Sequence, residues 1–216
     1  MENRNTHNMQ DEDSNSVKKL VFGIVGIWFL LAFVGGMLGI FNKPDTLYVP
    51  LFVLVPIIGF TLTYSLSMQM RRAVNQIPLM LITIAHVWRF VGIGFVVGAI
   101  LNVLPPQFGY PEGLGDVVTA IFCIPLAFAI CKKSFSPRLR TAFIVWNIFG
   151  LIDLISAISL GILYSQGSLG ILRTDLSTAA MTTFPVSLIP TFFVPLFILL
   201  HLLALSRSSE LAIATH

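Results

Sequence analysis

His86 and Arg89 stand three residues apart in a stretch that is otherwise apolar. Asn147 and Asp153 interrupt a second such stretch, and His201 interrupts a third. An ionisable group inside hydrocarbon costs at least a few kcal/mol, so each of these residues demands a partner or a purpose. Arg89 is a permanent cation with five donors in a rigid fork, Asp153 is a carboxylate acceptor, and Asn147 can both donate and accept. Counted from the basic ends of their stretches, Arg89 and Asp153 each lie about twelve residues deep, or roughly 18 Å at helical rise. Asp153 is the carboxylate at that level, so the two are expected to form a buried ion pair.

At about 100° per residue, Asn147, Gly150, Asp153, Ala157 and Gly161 share one face of a helix. Small residues on that face permit close helix approach, and Asn147 and Asp153 supply hydrogen bonds across it. In the same way Gly94 and Gly98 make a small-xxx-small pair beyond His86 and Arg89. His86 and His201 fall at depths that agree within about 5 Å, so they form a weak candidate pair for axial haem ligation. No other metal-ligand spacing is present, and a histidine hydrogen-bonded in the core is the plainer expectation for each. Glu112 and Asp116 are placed at the outer mouth of the next stretch, lining an entrance. Gly113–Asp116 reads GLGD, the tetrapeptide of intramembrane aspartyl proteases, but no aspartate precedes it on an earlier helix, and Asp116 reads instead as an N-terminal charge complementing a helix dipole. No catalytic residue is assigned. The candidate ligand-binding set is Arg89, Asp153, His86, Asn147, Asp116 and Glu112.

The elements that must position these residues follow from composition. Of 216 residues, 56% are hydrophobic and 11% charged, less than half the roughly 25% of charge that ordinary soluble domains carry. A bilayer-spanning helix needs about 20 apolar residues, and six segments qualify, near 20–41, 49–70, 78–104, 114–131, 141–164 and 184–206. The expected fold class is therefore all-α, a polytopic membrane protein with six transmembrane helices. Placing the N-terminus in the cytoplasm leaves only Lys43 and Arg173 outside, with Arg89 inside a span and the rest of the 13 cations on the inner side. Such a bias in short loops orients the chain with both termini in the cytoplasm. Residues 18–207 then form the transmembrane domain, flanked by a disordered tail, 1–17, and a second tail, 208–216. In the long outer loop from Ser165 to Thr183, an interfacial helix over Ile171–Met181 is the natural expectation, because unstructured loops of that length are uncommon.

Several functions are set aside on composition. The pI of about 9.1 reflects basic residues flanking apolar runs rather than a basic stripe with aromatics, so no nucleic-acid partner is expected. Cys123 and Cys131 lie roughly 12 Å apart on one helix, too far to bridge. Pro185, Pro190 and Pro195 crowd the last span, where each frees a carbonyl that the protein must satisfy internally.

Arg89–Phe95 (RFVGIGF), Leu104–Phe108 (LPPQF), GLGD, Trp146–Leu154 (WNIFGLIDL) and Ile189–Phe197 (IPTFFVPLF) together resemble a group of uncharacterised small multi-pass bacterial membrane proteins. That resemblance implies a bacterial inner-membrane location and carries no activity. Three readings of the polar site stand side by side. The first is binding or transport of a small molecule or ion between spans three, four and five, with the lipid bilayer as a further partner, protein partners unassigned and no cofactor. The second is a structural subunit or scaffold clasped by Arg89 and Asp153. The third is a haem-binding redox or lipid-modifying enzyme.

Overall fold

The computed structural model describes residues 2–133 and 136–212. The described chain is helical throughout its regular structure, with no strand among the described residues. Eight α-helices follow in order: α1 (Glu2–Met37), α2 (Tyr48–Leu66), α3 (Met68–Asn75), α4 (Leu79–Ile84), α5 (Ile93–Ile100), α6 (Pro106–Cys131), α7 (Pro137–Leu163) and α8 (Val194–Ser206). Six segments are long and apolar enough to cross a membrane: Ser16–Met37, Tyr48–Leu66, Leu79–Ile100, Pro106–Cys131, Pro137–Leu163 and Ile189–Ser206. This protein is thus an all-helical, multi-pass membrane protein.

Several boundaries depart from expectation, each for a local reason. The polar segment 2–17, expected as a disordered tail, continues α1 toward the N-terminus. Span two stops at Leu66 rather than Met70, because Ser67 turns extended and its Oγ accepts from the Met70 amide at 3.2 Å. That cap starts α3, a short amphipathic helix that buries Ala73 and Val74 and exposes Arg71 and Arg72. Span four begins at Pro106, not Leu114. Proline at the first helical position gives up an amide that has no intrahelical partner anyway, so the sequence that reads as a loop is helix. Residues 171–177 form turns and irregular backbone in place of the expected interfacial helix, and only Thr178–Thr182 coil, as a 3₁₀ turn. Of the expected tail 208–216, residues 213–216 lie outside the described residues, and the part that is described packs on the bundle. Ser208–Ala212 coils back, Leu211 is 1% exposed, and Arg207 donates to the Ile77 carbonyl at 2.6 Å.

Span three is the most altered. Instead of one helix over 78–104 it is three pieces, with the 3₁₀ stretch Ala85–Gly92 between α4 and α5. Span six likewise opens with a π-helical turn, Ile189–Phe193, before α8.

The bundle has a packed centre and a lipid-facing skin. Leu79 and Ile82 of α4 pack with Cys123, Leu126 and Ile130 of α6, Phe143 and Trp146 of α7 and Leu203 of α8. A second cluster joins Phe95, Leu104, Phe108 and Met181. Along the third span the buried residues between these clusters are Thr83, His86, Arg89 and Gly92, so the polar layer sits between two apolar ones. On the outside, Ile24, Ile27 and Leu31 of α1 and Val55, Ile58 and Leu62 of α2 are more than half exposed. In a bilayer that exposure carries no hydrophobic cost, and helix association rests on close packing and internal hydrogen bonds.

Candidate functional site

A 3₁₀ helix has three residues per turn, so residues i and i+3 eclipse. His86, Arg89 and Gly92 therefore form one column, and all three are buried. Gly92 brings this column against α6. A Cβ there would collide with the Asp116 side chain, and one on Gly113 would lie 2.5 Å from the Gly92 carbonyl. The expected small-xxx-small pair does not pack in this way. Gly94 faces open space and Gly98 meets only the Leu104 side chain, because the change of helical period shifts which glycine points inward.

Arg89 is 1% exposed and its guanidinium is filled from three sides. Nε donates to Asp116 Oδ1 at 2.6 Å, Nη2 pairs with Asp153 Oδ2, and Nη1 lies 3.3 Å from the Gly150 carbonyl and 3.1 Å from His201 Nε2. The expected pair with Asp153 is present, and Asp116 is a second carboxylate partner. Asp116 is therefore not an N-terminal charge at an outer mouth. It lies ten residues into α6, roughly 15 Å from the helix start, and is buried with Glu112. The two aspartates do come together, but the same guanidinium holds both, and Arg89 clasps spans three, four and five.

The clasp extends to span six. A guanidinium can only donate, so His201 Nε2 accepts, which puts the ring proton on Nδ1. Nδ1 then donates to Asn147 Oδ1 at 2.8 Å, and Asn147 Nδ2 donates to the Phe143 carbonyl at 2.8 Å. His86, expected to be hydrogen-bonded like His201, has no partner for either ring nitrogen among the described residues; it stacks on His201 with ring centroids 4.0 Å apart and meets Trp146 edge-on at 5.1 Å. A porphyrin iron takes its two axial imidazoles from opposite faces of the ring plane. His86 and His201 lie face to face with no such gap, and both nitrogens of His201 are engaged, so this pair does not fit haem ligation.

Glu112 is 1% exposed; its Oε1 accepts from Ser156 Oγ at 2.7 Å and its Oε2 has no partner among the described residues. Glu112, Asp116 and Asp153 form one polar wall of a cavity of about 540 Å³, and its surfaces between the spans are otherwise apolar, among them Ile57, Phe95, Leu154, Phe193 and Phe197. That wall is where spans four and five meet, while the rest draws on spans two, three and six, more of the bundle than the three spans expected. Arg89 is not part of the lining; it stands behind the carboxylates. The entrance is lined not by Glu112 and Asp116 but by Lys43, Asp45, Gln166 and Gly167 of two loops. Across the α6–α7 seam, Glu112, Asp153 and Ser156 also border a hollow of about 340 Å³ beside the lipid-facing Leu114 and Ile152.

The two loops at the mouth are latched. Asp45, in the left-handed region at φ 58°, accepts the Ser168 amide at 2.6 Å through Oδ1. That hydrogen bond holds the Asp45 carboxyl below the ordinary aspartate range. A depressed value means the latch is intact at neutral pH and is lost as pH falls through it. A spin label on Gln166→Cys is expected to gain mobility on acidification through that range, and to be mobile at neutral pH when Asp45→Asn is added. An Asp45→Asn protein whose label stays as immobile as the parent's would rule the latch out.

Ser156 and Gly92 belong to the site without a signal of their own in the sequence, although Ser156 lies at i+3 from Asp153, beside the stripe assigned to the interior. The assembly is that of a six-span helical membrane protein with an ion-paired core beside a carboxylate-walled cavity. The chain belongs to the family described as "Domain of unknown function (DUF8737)", whose model matches residues 46–207 and so covers the Arg89 cluster and the carboxylate wall. No match was found among curated proteins or among solved structures.

Proposed function

We propose that this protein binds, and carries across or within the membrane, a small molecule held in the cavity that ends on Glu112, Asp116 and Asp153. The observation that carries the reading is the cavity itself. Its volume of about 540 Å³ lies within the roughly 300–1,000 Å³ of small-molecule sites, which are mostly apolar with a few convergent polar groups. The excess of Lys and Arg on one side supports a mouth facing away from the cytoplasm, with both termini inside. The resemblance to bacterial multi-pass proteins supports an inner-membrane location. A second reading, a structural subunit, is favoured by Arg89, whose donors are occupied by protein groups as those of a clasp would be.

The readings separate on access to the cavity. Ala157, on its wall, is changed to cysteine in a Cys131→Ser background, and a membrane-impermeant methanethiosulfonate is applied to spheroplasts. The expected result is labelling from outside that a cavity-filling Gly161→Leu substitution abolishes while folding persists. Labelling only from the cytoplasmic side would reverse the orientation. Absence of labelling from either side would leave the structural subunit as the better reading.

A further inference from the structure

We propose that the occupant of the cavity is an amphiphilic cation, an ammonium head on an apolar chain, with the head held at Glu112 and the chain along the Phe95–Phe197 wall. This rests on the binding reading above and names its ligand class.

Charge is the first argument. Three carboxylates face one guanidinium, and Arg89 reaches only one oxygen each of Asp116 and Asp153. Among the described residues, Glu112 Oε2 is buried with no hydrogen-bond partner, and no donor reaches Asp116 Oδ2 or Asp153 Oδ1. The deep end of the cavity therefore offers acceptors and no cation, since Arg89 lies outside the lining. A buried acceptor without a donor is costly, and an ammonium group supplies three. Glu112 carries the assignment. It is 1% exposed, lines the cavity, has one oxygen free, and is held in place by Ser156 rather than by Arg89.

The rest of the cavity selects the body of the ligand. Ile57, Phe95, Leu154, Phe193, Val194 and Phe197 present hydrocarbon and aromatic rings, which reward an apolar chain and offer nothing to a sugar or a nucleotide. A fatty acid would fit the walls but bring its carboxylate against three others, the like-charge juxtaposition by which a site rejects a wrong partner. A bare metal ion lacks a nest, since no three His, Cys, Asp or Glu side chains converge to hold one among the described residues. The mouth agrees with this selection, because Lys43 and Asp45 both line it and an amphiphile meets charge first and hydrocarbon after.

The test uses the full chain in a neutral detergent, with native mass spectrometry to count bound molecules and thermal unfolding to follow them. The probes are dodecylamine, dodecanol, dodecanoate, methylammonium and sodium. Dodecylamine is expected to bind one per chain and to raise Tm, with dodecanol and dodecanoate at least tenfold weaker and the two small cations without effect. Glu112→Gln, which leaves the Arg89 pairs intact, is expected to weaken dodecylamine roughly tenfold or more, as loss of a buried charge partner does, and to leave dodecanol unchanged. Glu112→Asp is expected to restore part of the loss. Ala157→Phe, which fills the cavity, is expected to reduce every twelve-carbon probe together and so to report on occupancy if Glu112→Gln fails to fold. Equal binding of all three twelve-carbon heads, or dodecanoate binding best, would overturn the cation assignment while the cavity reading stands. Stabilisation by sodium or methylammonium equal to that by dodecylamine would overturn the amphiphile. Absence of binding by every probe would take down both readings.

Discussion

Arg89→Met is expected to leave almost no folded protein, although the substitution conserves length and adds apolar surface to an apolar membrane segment. The reason lies in what remains. Asp116 and Asp153 would stay buried on α6 and α7 with their shared cation gone, and His201 Nε2 and the Gly150 carbonyl would lose the donor on their side. Removing one partner of a buried ionic cluster costs about 3–5 kcal/mol, a large share of the roughly 5–15 kcal/mol that holds a domain together. Replacing the whole cluster has a different outcome, because well-packed apolar substitutes for all partners are often neutral or stabilising. Arg89→Met combined with Asp116→Leu and Asp153→Leu is therefore expected to recover much of the folded yield. Exchanging Arg89 with Asp153 is expected not to recover it, since Asp116 would then face an aspartate at position 89. The measurement is the monodisperse fraction and Tm of each variant in detergent. A single Arg89→Met protein with parental Tm would show that the clasp contributes nothing to stability.

How much of this arrangement the sequence discloses depends on the physical signal that each part leaves. Hydropathy sums over some twenty residues per span, so one irregular turn does not erase it, and all six spans were legible. Depth is also legible, because helical rise is nearly constant; it brings Arg89 and Asp153 to one level from the sequence alone. Depth says nothing about which way a side chain looks. Arg89 stands in the sequence as a candidate ligand-binding residue, yet its donors are turned on the protein and the carboxylates face the cavity. The misplacement of Asp116 and Glu112 has another origin. The run PPQFGYPEG has turn composition, while tertiary packing of Phe108 with Phe95 and Met181 holds it helical from Pro106, carrying both acids inward. The 3₁₀ stretch left no trace in the sequence. With an α-helical period throughout, Gly94 and Gly98 look like the packing surface, and only the tighter turn reveals Gly92.

Gly115→Ala tests the glycine with the least room for a side chain among the described glycines. The substitution ordinarily favours a helix, since an interior glycine costs about 0.5–1 kcal/mol relative to alanine. Here the new methyl would overlap Asp153 Oδ1 and come within 2.6 Å of its Cγ. The contact is not the far end of a free chain, because Asp153 is tied to Arg89. Relief would require α7 to back away from α6 or Asp153 to leave the guanidinium. Overpacking alone costs about 1–3 kcal/mol, and separating the pair adds to it, so a clear fall in Tm is expected. Asp153→Ala removes the atoms in the way, and Arg89 keeps Asp116. The double variant Gly115→Ala with Asp153→Ala is therefore expected to be much more stable than the sum of its two single effects, as a coupling between touching residues requires. Gly94→Ala is the matched control. Its methyl meets nothing within 4 Å, so its Tm is expected to equal or exceed the parent's. If Gly115→Ala were tolerated as well as Gly94→Ala, the two helices would not approach closely enough for the carboxylate wall to form, and the acidic end of the cavity would be lost with it.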